Sequence, residues 1–310
     1  MIPQETLHLT ALGQSHTGNR RTQNEDRFAI RSYHLEGGQN AALVIVADGI
    51  GGHQAGEIAA EYTVNTILRS IESSSMENPV GALETAVIEA GRAVSQAAAE
   101  HSERQGMGST VALALVIEDR LYTTTVGDSR IYLLRKGRLR QVSTDHTWIQ
   151  EAIEYDILTP EEAQGHPQAH VLRRHIGGDQ LPEPDLRLRL KDGESDQDAL
   201  RNQGTQLYDD DRLLLCTDGL TDMVPDLEIY NALATMPPEE ALDHLVQRAL
   251  KAGGNDNITI AIIALPKKID VPPRVIHRRR WGRNTLLATG LLVILILAGV
   301  FFLWWLGLWL

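Results

Sequence analysis

The chain has 310 residues, enough to bury a full core, and its formal net charge is −12. Before residue 267 it carries 22 basic and 40 acidic side chains, a formal charge of −18 that argues against nucleic acid as a partner. The single cysteine, Cys216, agrees with a reducing compartment and is more typical of a small buried side chain than of a reactive thiol. The first ten residues lack the basic and apolar segments of a secretory signal, so none is expected.

The first predicted elements are a strand and two helices. Residues 43–47 form an apolar run that predicts a buried strand. A glycine-rich loop follows, and a helix is expected over residues 57–70. Pro79 begins a second predicted helix that extends to about Glu100, because proline has no N–H to lose at the first helical position. We expect these two helices to lie side by side.

The middle of the chain is rich in predicted strands. They cover residues 109–117, 121–126, 130–135 and 139–142. The last two strands are joined by Lys136-Gly137 in the spacing of a β-hairpin. A short helix is expected to begin after Asp145, and residues 159–162 match a capping box.

The remaining elements alternate in type. We expect a strand at residues 185–190, a polar solvent loop over 191–211, a second buried strand at 213–217, a helix at 238–251 and a last strand at 258–263. Gly253 and Gly254 supply the left-handed cap of that helix. This order of elements predicts a β core with helices on its outer faces.

The C-terminal segment, residues 286–310, contains no charged side chain. As a helix its 25 residues would extend roughly 37 Å, more than the ~30 Å of hydrocarbon in a bilayer. Five arginines precede it: Arg274, Arg278, Arg279, Arg280 and Arg283. Because basic flanks stay cytoplasmic, we expect a single-pass C-terminal anchor with the large domain in the cytosol. These arginines either bind anionic lipid or act only as a topology signal.

The domain boundaries follow from this change in composition. We expect one large domain over residues 1–266, a basic juxtamembrane linker over 267–285 and a transmembrane helix over 286–310.

Three aspartates stand where predicted strands end or begin. Asp48 and Asp218 each follow a buried apolar run and precede a glycine, and Asp256 lies in a turn just before the last strand. A carboxylate in such a place can approach a hard cation closely. We therefore expect one metal centre, and oxygen ligands without a Cys/His cluster favour Mg²⁺ or Mn²⁺ over Zn²⁺.

Six motifs in this order resemble the bacterial form of the metal-dependent protein phosphatase family PPM/PP2C. They are Arg21 with Glu25-Asp26, Asp48-Gly49-x-Gly51-Gly52-His53, Gly108-Ser109-Thr110, Gly127-Asp128-Ser129-Arg130, Asp218-Gly219 and Gly254-Asn255-Asp256-Asn257. Residues 145–147, 159–163 and 166–167 resemble the mobile flap of bacterial members. The resemblance implies an α+β fold, a PP2C-like αββα sandwich of two mostly antiparallel sheets flanked by helices, here with one C-terminal transmembrane helix.

The resemblance also implies a dinuclear centre of Mn²⁺ or Mg²⁺. The implied ligands are Asp48, which bridges the two ions, the carbonyl oxygen of Gly49, Asp218, Asp256 and, through water, Glu25. Asp128, together with Asp218, resembles an extra metal site of bacterial members, so a third ion is left open. The alternative for Gly127-Asp128-Ser129-Arg130 is an ordinary β-turn in which the aspartate has its own hydrogen-bond partners.

Two further residues carry roles by resemblance. Arg21 is similar to the phosphate clamp, and an arginine fork fits phosphate bidentately. Asp26 is similar to the residue that orients the attacking water, so no protein nucleophile is required. Taken alone, Arg21 and Glu25 would be read as a solvated surface pair.

One position departs from the eukaryotic pattern. Eukaryotic members have a histidine two residues after the bridging aspartate, proposed to protonate the leaving group, whereas Ile50 stands there in this chain. His53, five residues after Asp48, cannot inherit that role, and the general acid stays unidentified. The loop also fails as a dinucleotide fingerprint, because Gln54 occupies the position of the third glycine.

The predicted function is hydrolysis of phosphoserine and phosphothreonine in proteins by attack of a metal-activated water. The tether points to membrane-bound substrates, such as membrane Ser/Thr kinases and their substrates. The alternative is a catalytically silent, membrane-tethered regulatory module that binds phosphoproteins. The presence of Asp48, Asp218 and Asp256 argues against that alternative.

Overall fold

The computed structural model of the chain describes residues 2–4, 9–51, 55–163, 165–265 and 295–307. Gly52 and His53 of the glycine-rich loop lie outside these described residues, as does the whole linker predicted over 267–285. The chain divides into two compact units, Met1–Lys267 and Lys268–Leu310.

Two antiparallel sheets form the centre of the first unit. The strands are β1 (Ile2–Gln4), β2 (Thr10–His16), β3 (Arg27–His34), β4 (Asn40–Ala47), β5 (Gly49–Ile50), β6 (Gly108–Ser109), β7 (Val111–Ile117), β8 (Arg120–Val126), β9 (Arg130–Arg135), β10 (Arg138–Gln141), β11 (Thr205–Gln206), β12 (Arg212–Cys216) and β13 (Ile258–Ala264). One sheet has the strand order β1-β3-β4-β7-β8-β11 and the other has the order β10-β9-β12-β13-β2. The short strands β5 and β6 form a separate pair.

Helices cover the outer faces of the two sheets. They are α1 (Ala55–Ser73), α2 (Pro79–Ala99), α3 (Trp148–Glu154), α4 (Pro160–Ala163), α5 (Asp196–Arg201), α6 (Asp218–Thr221), α7 (Asp226–Thr235) and α8 (Pro238–Lys251), with a 3₁₀ turn at Ser102–Arg104. Buried side chains of α1 and α2 pack on the six-stranded sheet, and those of α7 and α8 pack on the five-stranded sheet. The predicted α+β sandwich of two antiparallel sheets flanked by helices is therefore confirmed.

The central strands are apolar along their whole length because both of their faces are buried. In β4, Leu43 and Ile45 face α1 and α2, whereas Val44 and Val46 face the other sheet. In β12 the same alternation places Leu215 between the sheets and Cys216 against the helices. Burial raises the pKa of the Cys216 thiol to about 12, so this cysteine is a packing residue, as its predicted environment implied.

The segment between residues 185 and 211 differs from its prediction. The expected strand at 185–190 is absent from this described segment except for one bridge between Asp185 and Thr125. The expected solvent loop at 191–211 contains α5 and β11 instead. The acidic side chains that suggested a solvated loop are in part paired with arginines, as Asp211 is with Arg135 at 2.6 Å. Most of residues 191–211 are exposed, as expected of a solvent loop, but Ala199, Leu207 and Asp211 are buried.

In the second unit, residues 295–305 are helical, and the side chains of 295–307 are exposed. Among the residues that the structure describes, no helix is both long enough and apolar enough to cross a bilayer. Residues 286–294 and 308–310 of the predicted transmembrane helix lie outside the described ranges. That helix is not supported by this finding and stays a prediction.

Candidate active site

The predicted site residues lie at one end of the two sheets. Asp48 directly follows β4, and Asp26 directly precedes β3, whose first residue pairs with the last residue of β4. In the other sheet, Asp218 lies two residues beyond the end of β12, and Asp256 lies just before β13. Asp128 lies in the turn from β8 to β9. Antiparallel pairing therefore gathers residues that are more than 200 positions apart.

Asp26 connects the two sheets. Its side chain is 2% exposed, and its Oδ2 accepts a hydrogen bond of 3.0 Å from the hydroxyl of Thr217, which follows β12. Its other oxygen, Oδ1, is buried with no hydrogen-bond partner. A buried carboxylate oxygen without a donor is costly, so this atom is available to a cation or a water molecule.

The backbone around Asp48 is held by the start of β7. The Asp48 amide donates to the hydroxyl of Thr110 at 3.0 Å, and the Asp48 carbonyl accepts from the Thr110 amide at 2.8 Å. Gly49 follows, and a Cβ there would stand 2.1 Å from the carbonyl oxygen of Gly56 and 2.7 Å from that of Glu25. Only glycine allows this close approach, which brings Glu25 beside the Asp48 turn.

Asn257 joins the loop of Asp256 to the segment that carries Arg21, Glu25 and Asp26. Its side-chain amide donates to the carbonyls of Thr17 at 2.8 Å and Gln23 at 2.9 Å. Its side-chain oxygen accepts from the Glu25 amide at 2.8 Å. The motif around Asp256 therefore needs its following asparagine to dock the N-terminal segment.

Arg21 stands at the exposed side of the site. Its Nη2 lies 2.7 Å from Oδ2 of Asp256, and its side chain is 51% exposed. The other oxygen of Asp256 accepts from the Asn257 amide at 2.8 Å. Arg21 is therefore ion-paired with Asp256, and its exposed guanidinium can still bind a ligand from solvent.

The buried carboxylates raise one another's pKa. Burial, followed by neighbouring negative charges, raises the pKa of Asp26 to about 7 and that of Asp128 to about 8. The same causes raise the pKa of Asp218 to about 6 and hold that of Asp48 well above its usual range, with Asp26, Asp218, Asp128 and Asp256 as the charges acting on Asp48. Burial is also the main cause that raises the pKa of Glu25. Such crowding of negative charge favours a divalent cation.

The donor set fits a hard cation. The side-chain ligands predicted from the sequence are all carboxylates, and two buried carboxylate oxygens, Oδ1 of Asp26 and Oδ1 of Asp218, have no hydrogen-bond partner. Such oxygens suit Mg²⁺ and Mn²⁺. The structure thus brings together all eight predicted positions, which are Arg21, Glu25, Asp26, Asp48, Gly49, Asp128, Asp218 and Asp256.

Comparison with known families agrees with this geometry. A family model described as protein phosphatase 2C matches residues 12–258. The chain belongs to the protein phosphatase 2C family. The matched residues include the strands from β3 to β12 and every predicted site residue of this PP2C chain.

Bacterial serine/threonine phosphatases are among the relatives of this PP2C chain. It is similar to the serine/threonine protein phosphatase PstP of Mycobacterium tuberculosis, with 32% identity over 257 residues, 83% of this chain and 45% of PstP. It thus spans less than half the length of that relative. The serine/threonine phosphatase Stp of Listeria welshimeri is 30% identical over 251 residues, 79% of this chain and 92% of Stp. A crystal structure of the PstP catalytic domain in complex with two manganese ions superposes with a TM-score of 0.68, 30% identity and coverage of 83% of this chain and 97% of that one.

The structure adds two residues to the PP2C site that sequence reasoning did not name. His170 and Asp222 each bring a ligand atom near Asp218, and the three atoms lie within 4.8 Å of one another. Asp222 stands one helical turn after Asp218, a spacing that could have identified it. His170 comes from the segment between α4 and α5, and nothing in its local sequence signals this contact.

Proposed function

We propose that this chain is a metal-dependent protein phosphatase that hydrolyses phosphoserine and phosphothreonine. The observation that carries the proposal is the group of buried carboxylates, Asp26, Asp48, Asp128 and Asp218, whose pKa values are raised by burial and by one another. A group of this kind is suited to bind divalent cations beside an exposed arginine. Membership in the PP2C family and similarity to serine/threonine phosphatases support the same activity.

Two ions, Mn²⁺ or Mg²⁺, would be held by the residues that the sequence motifs named. These residues are Asp48, the carbonyl of Gly49, Asp218, Asp256 and Glu25, and a third ion would use Asp128 with Asp218. When bound, such ions supply Lewis-acid charge and lower the pKa of a coordinated water. The structure of a PstP catalytic domain in complex with two manganese ions supports a centre of two ions.

The protein's own groups have separate tasks. Arg21, at the exposed side, would bind two non-bridging oxygens of the phosphoryl group and offset their growing charge. Asp26 would orient the attacking water through its free Oδ1, because its Oδ2 is already held by Thr217. No serine, cysteine or histidine nucleophile is needed in this scheme.

The activity is tested with the full-length chain in detergent. Wild-type protein should hydrolyse p-nitrophenyl phosphate and phosphoserine or phosphothreonine peptides with Mn²⁺, and it should lose this activity in EDTA. Asp218→Asn is the negative control. Binding of phosphopeptide without turnover would support the catalytically silent regulatory module instead.

The C-terminal segment is proposed to tether the phosphatase domain to the cytoplasmic face of a membrane. The domain would span residues 1–266, the basic linker 267–285 and the transmembrane helix 286–310. The described part of that segment supports a lipid contact, because large apolar side chains such as Phe301, Trp304 and Trp305 are exposed on a helix. Membrane Ser/Thr kinases and their substrates would then be the nearest phosphoproteins.

The tether is tested by flotation with phospholipid vesicles. Full-length protein should float with the vesicles, whereas the double variant Leu297→Arg and Phe301→Arg should stay in the soluble fraction, because a buried arginine is costly in a bilayer. Flotation of both proteins alike would refute the anchor. In cells, unchanged dephosphorylation of membrane kinases by the double variant would refute the assignment of substrates.

A further inference from the structure

Asp145 and His146 contact both ends of the turn that carries Asp128. Asp145 accepts from the guanidinium of Arg130, with distances of 3.1, 2.9 and 2.6 Å between the paired atoms. The amide of His146 donates to the carbonyl of Gly127 at 2.9 Å. The Gly127 amide in turn donates to Nδ1 of His146 at 3.0 Å. Gly127 is thus bound by both the backbone and the side chain of His146.

These bonds determine which ring nitrogen of His146 carries hydrogen. Nδ1 accepts from the Gly127 amide, so it holds no proton, and the hydrogen lies on Nε2. Nε2 donates to Oδ2 of Asp185 at 3.1 Å. Asp185 is kept ionised, because its hydrogen bonds from His146 and Arg187 outweigh burial and lower its pKa. The side chain of His146 is 3% exposed, and its imidazole is therefore held in one orientation from both sides.

The turn is in contact with the Asp48 side of the site as well. Gly127 has φ of +101°, and a Cβ there would lie 2.6 Å from the methyl group of Thr110. The hydroxyl of Thr110 accepts from the Asp48 amide and bonds Ser129 at 2.7 Å. A displacement of Gly127 would therefore move both Asp128 and the residue that holds Asp48.

We propose that His146 is a positioning residue that holds Gly127, and through it the carboxylate of Asp128, in the geometry required for metal binding. This role of His146 rests on the proposed function in one respect, which is the assignment of Asp128 as a metal ligand. Hydrogen bonds that orient metal ligands commonly influence metal affinity. Loss of such a bond lowers the affinity for the metal about 10–100-fold. His146 touches no reacting atom, so it acts only through the turn.

Two amide variants separate the two bonds of the ring. In His146→Asn the side-chain oxygen occupies nearly the place of Nδ1, so the variant keeps an acceptor for Gly127. In His146→Gln the amide reaches toward Asp185 as Nε2 does, but the acceptor for Gly127 is lost. Both variants are polar and similar in size, so each is the packing control for the other.

The first readout needs no metal. Hydrogen exchange of the Gly127 amide in the full-length chain should be about tenfold or more faster in His146→Gln, because its buried acceptor is missing. In His146→Asn the rate should stay within about threefold of wild type. Equal rates in the two variants, whether slow or fast, would overturn the proposal.

The second readout is Mn²⁺ binding by equilibrium dialysis. His146→Gln should weaken, by about 10–100-fold, the Mn²⁺ site that Asp128→Asn removes, while His146→Asn retains it. Equal Mn²⁺ affinities in the two variants would overturn the positioning role. Asp128→Asn serves as the reference variant. If it bound Mn²⁺ as wild type does, the assignment of Asp128 as a metal ligand in the proposed function would fail. Hydrogen exchange of the Gly127 amide would still show whether His146 holds Gly127.

Discussion

Replacing Asp218 by asparagine should stabilise the protein when divalent metal is withheld at neutral or alkaline pH. Burial, then the carboxylates of Asp222 and Asp256, raises the pKa of Asp218 from 3.8 to about 6. Between these values the folded chain keeps a proton that the unfolded chain has released. The Asp218 carboxyl group therefore destabilises the fold increasingly as pH rises above 3.8. This loss of stability is complete above about pH 6.

The magnitude follows from the size of this shift. A pKa difference of one corresponds to a free energy of about 1.4 kcal/mol. The change from 3.8 to about 6 therefore predicts that Asp218→Asn raises the free energy of unfolding by about 3 kcal/mol above pH 7. This is an upper limit, because neighbouring carboxyls share protons. At roughly 2–4 °C per kcal/mol the gain is about 6–12 °C in Tm. Below the usual pKa, where both states are protonated, the two proteins should unfold alike.

The assay is thermal unfolding of wild type and variant in EDTA across this pH range, repeated with Mn²⁺. Mn²⁺ should raise the Tm of wild type more than that of the variant, and turnover should be lost in the variant. Asp185→Asn is the matched control with the opposite sign, because the lowered pKa of Asp185 means that its carboxylate stabilises the fold above its usual pKa. The reasoning would be refuted if Asp218→Asn were less stable than wild type in EDTA above pH 7, or if Mn²⁺ stabilised both equally.

Two other substitutions test separate parts of the site. Arg21→Ala should lower kcat/KM for phosphate esters by roughly a hundredfold, because it removes the donors to the phosphoryl oxygens, and steady-state kinetics with an unchanged value would exclude Arg21 from the site. Gly219→Ala should destabilise the fold by about 1–3 kcal/mol and reduce Mn²⁺ affinity, because its Cβ would stand 1.9 Å from the carbonyl oxygen of Asn257. Urea unfolding measures this loss, and Gly37→Ala, whose Cβ has its nearest atom 4.0 Å away, should unfold like wild type.

Part of the candidate site could be predicted from the sequence because several of its carboxylates stand at the ends of strands. A buried strand is an apolar run, and a polar residue directly after it, such as Asp48, marks the sheet edge in the sequence itself. Asp218 follows β12 in the same way. The predicted helices also agree closely, since α2 begins at the predicted Pro79 and α1 exceeds its predicted range by only a few residues.

Other features could not be predicted because their partners are distant in the chain. Residues 191–211 have the composition of a solvent loop, and only their contacts with distant segments, such as the pairing of β11 with β8 and of Asp211 with Arg135, make them part of the fold. His170 approaches Asp218 through the course of a long connection between helices. The contact of His146 with Gly127 likewise depends on how the chain returns after β10.

The residue pattern alone predicted a β core with helices on its outer faces and placed Asp48, Asp218 and Asp256 beside strand ends, because a buried strand is an apolar run and a polar residue marks its edge. The αββα sandwich and the roles of the metal ligands were implied by the resemblance to the PP2C family. Three properties of the site come from the three-dimensional packing: which carboxylates are buried together, how far each raises the pKa of its neighbours, and which side chains hold the turns in place. Those properties depend on distances through space between residues as far apart as Asp26 and Thr217, and such distances are set by the packing of the two sheets.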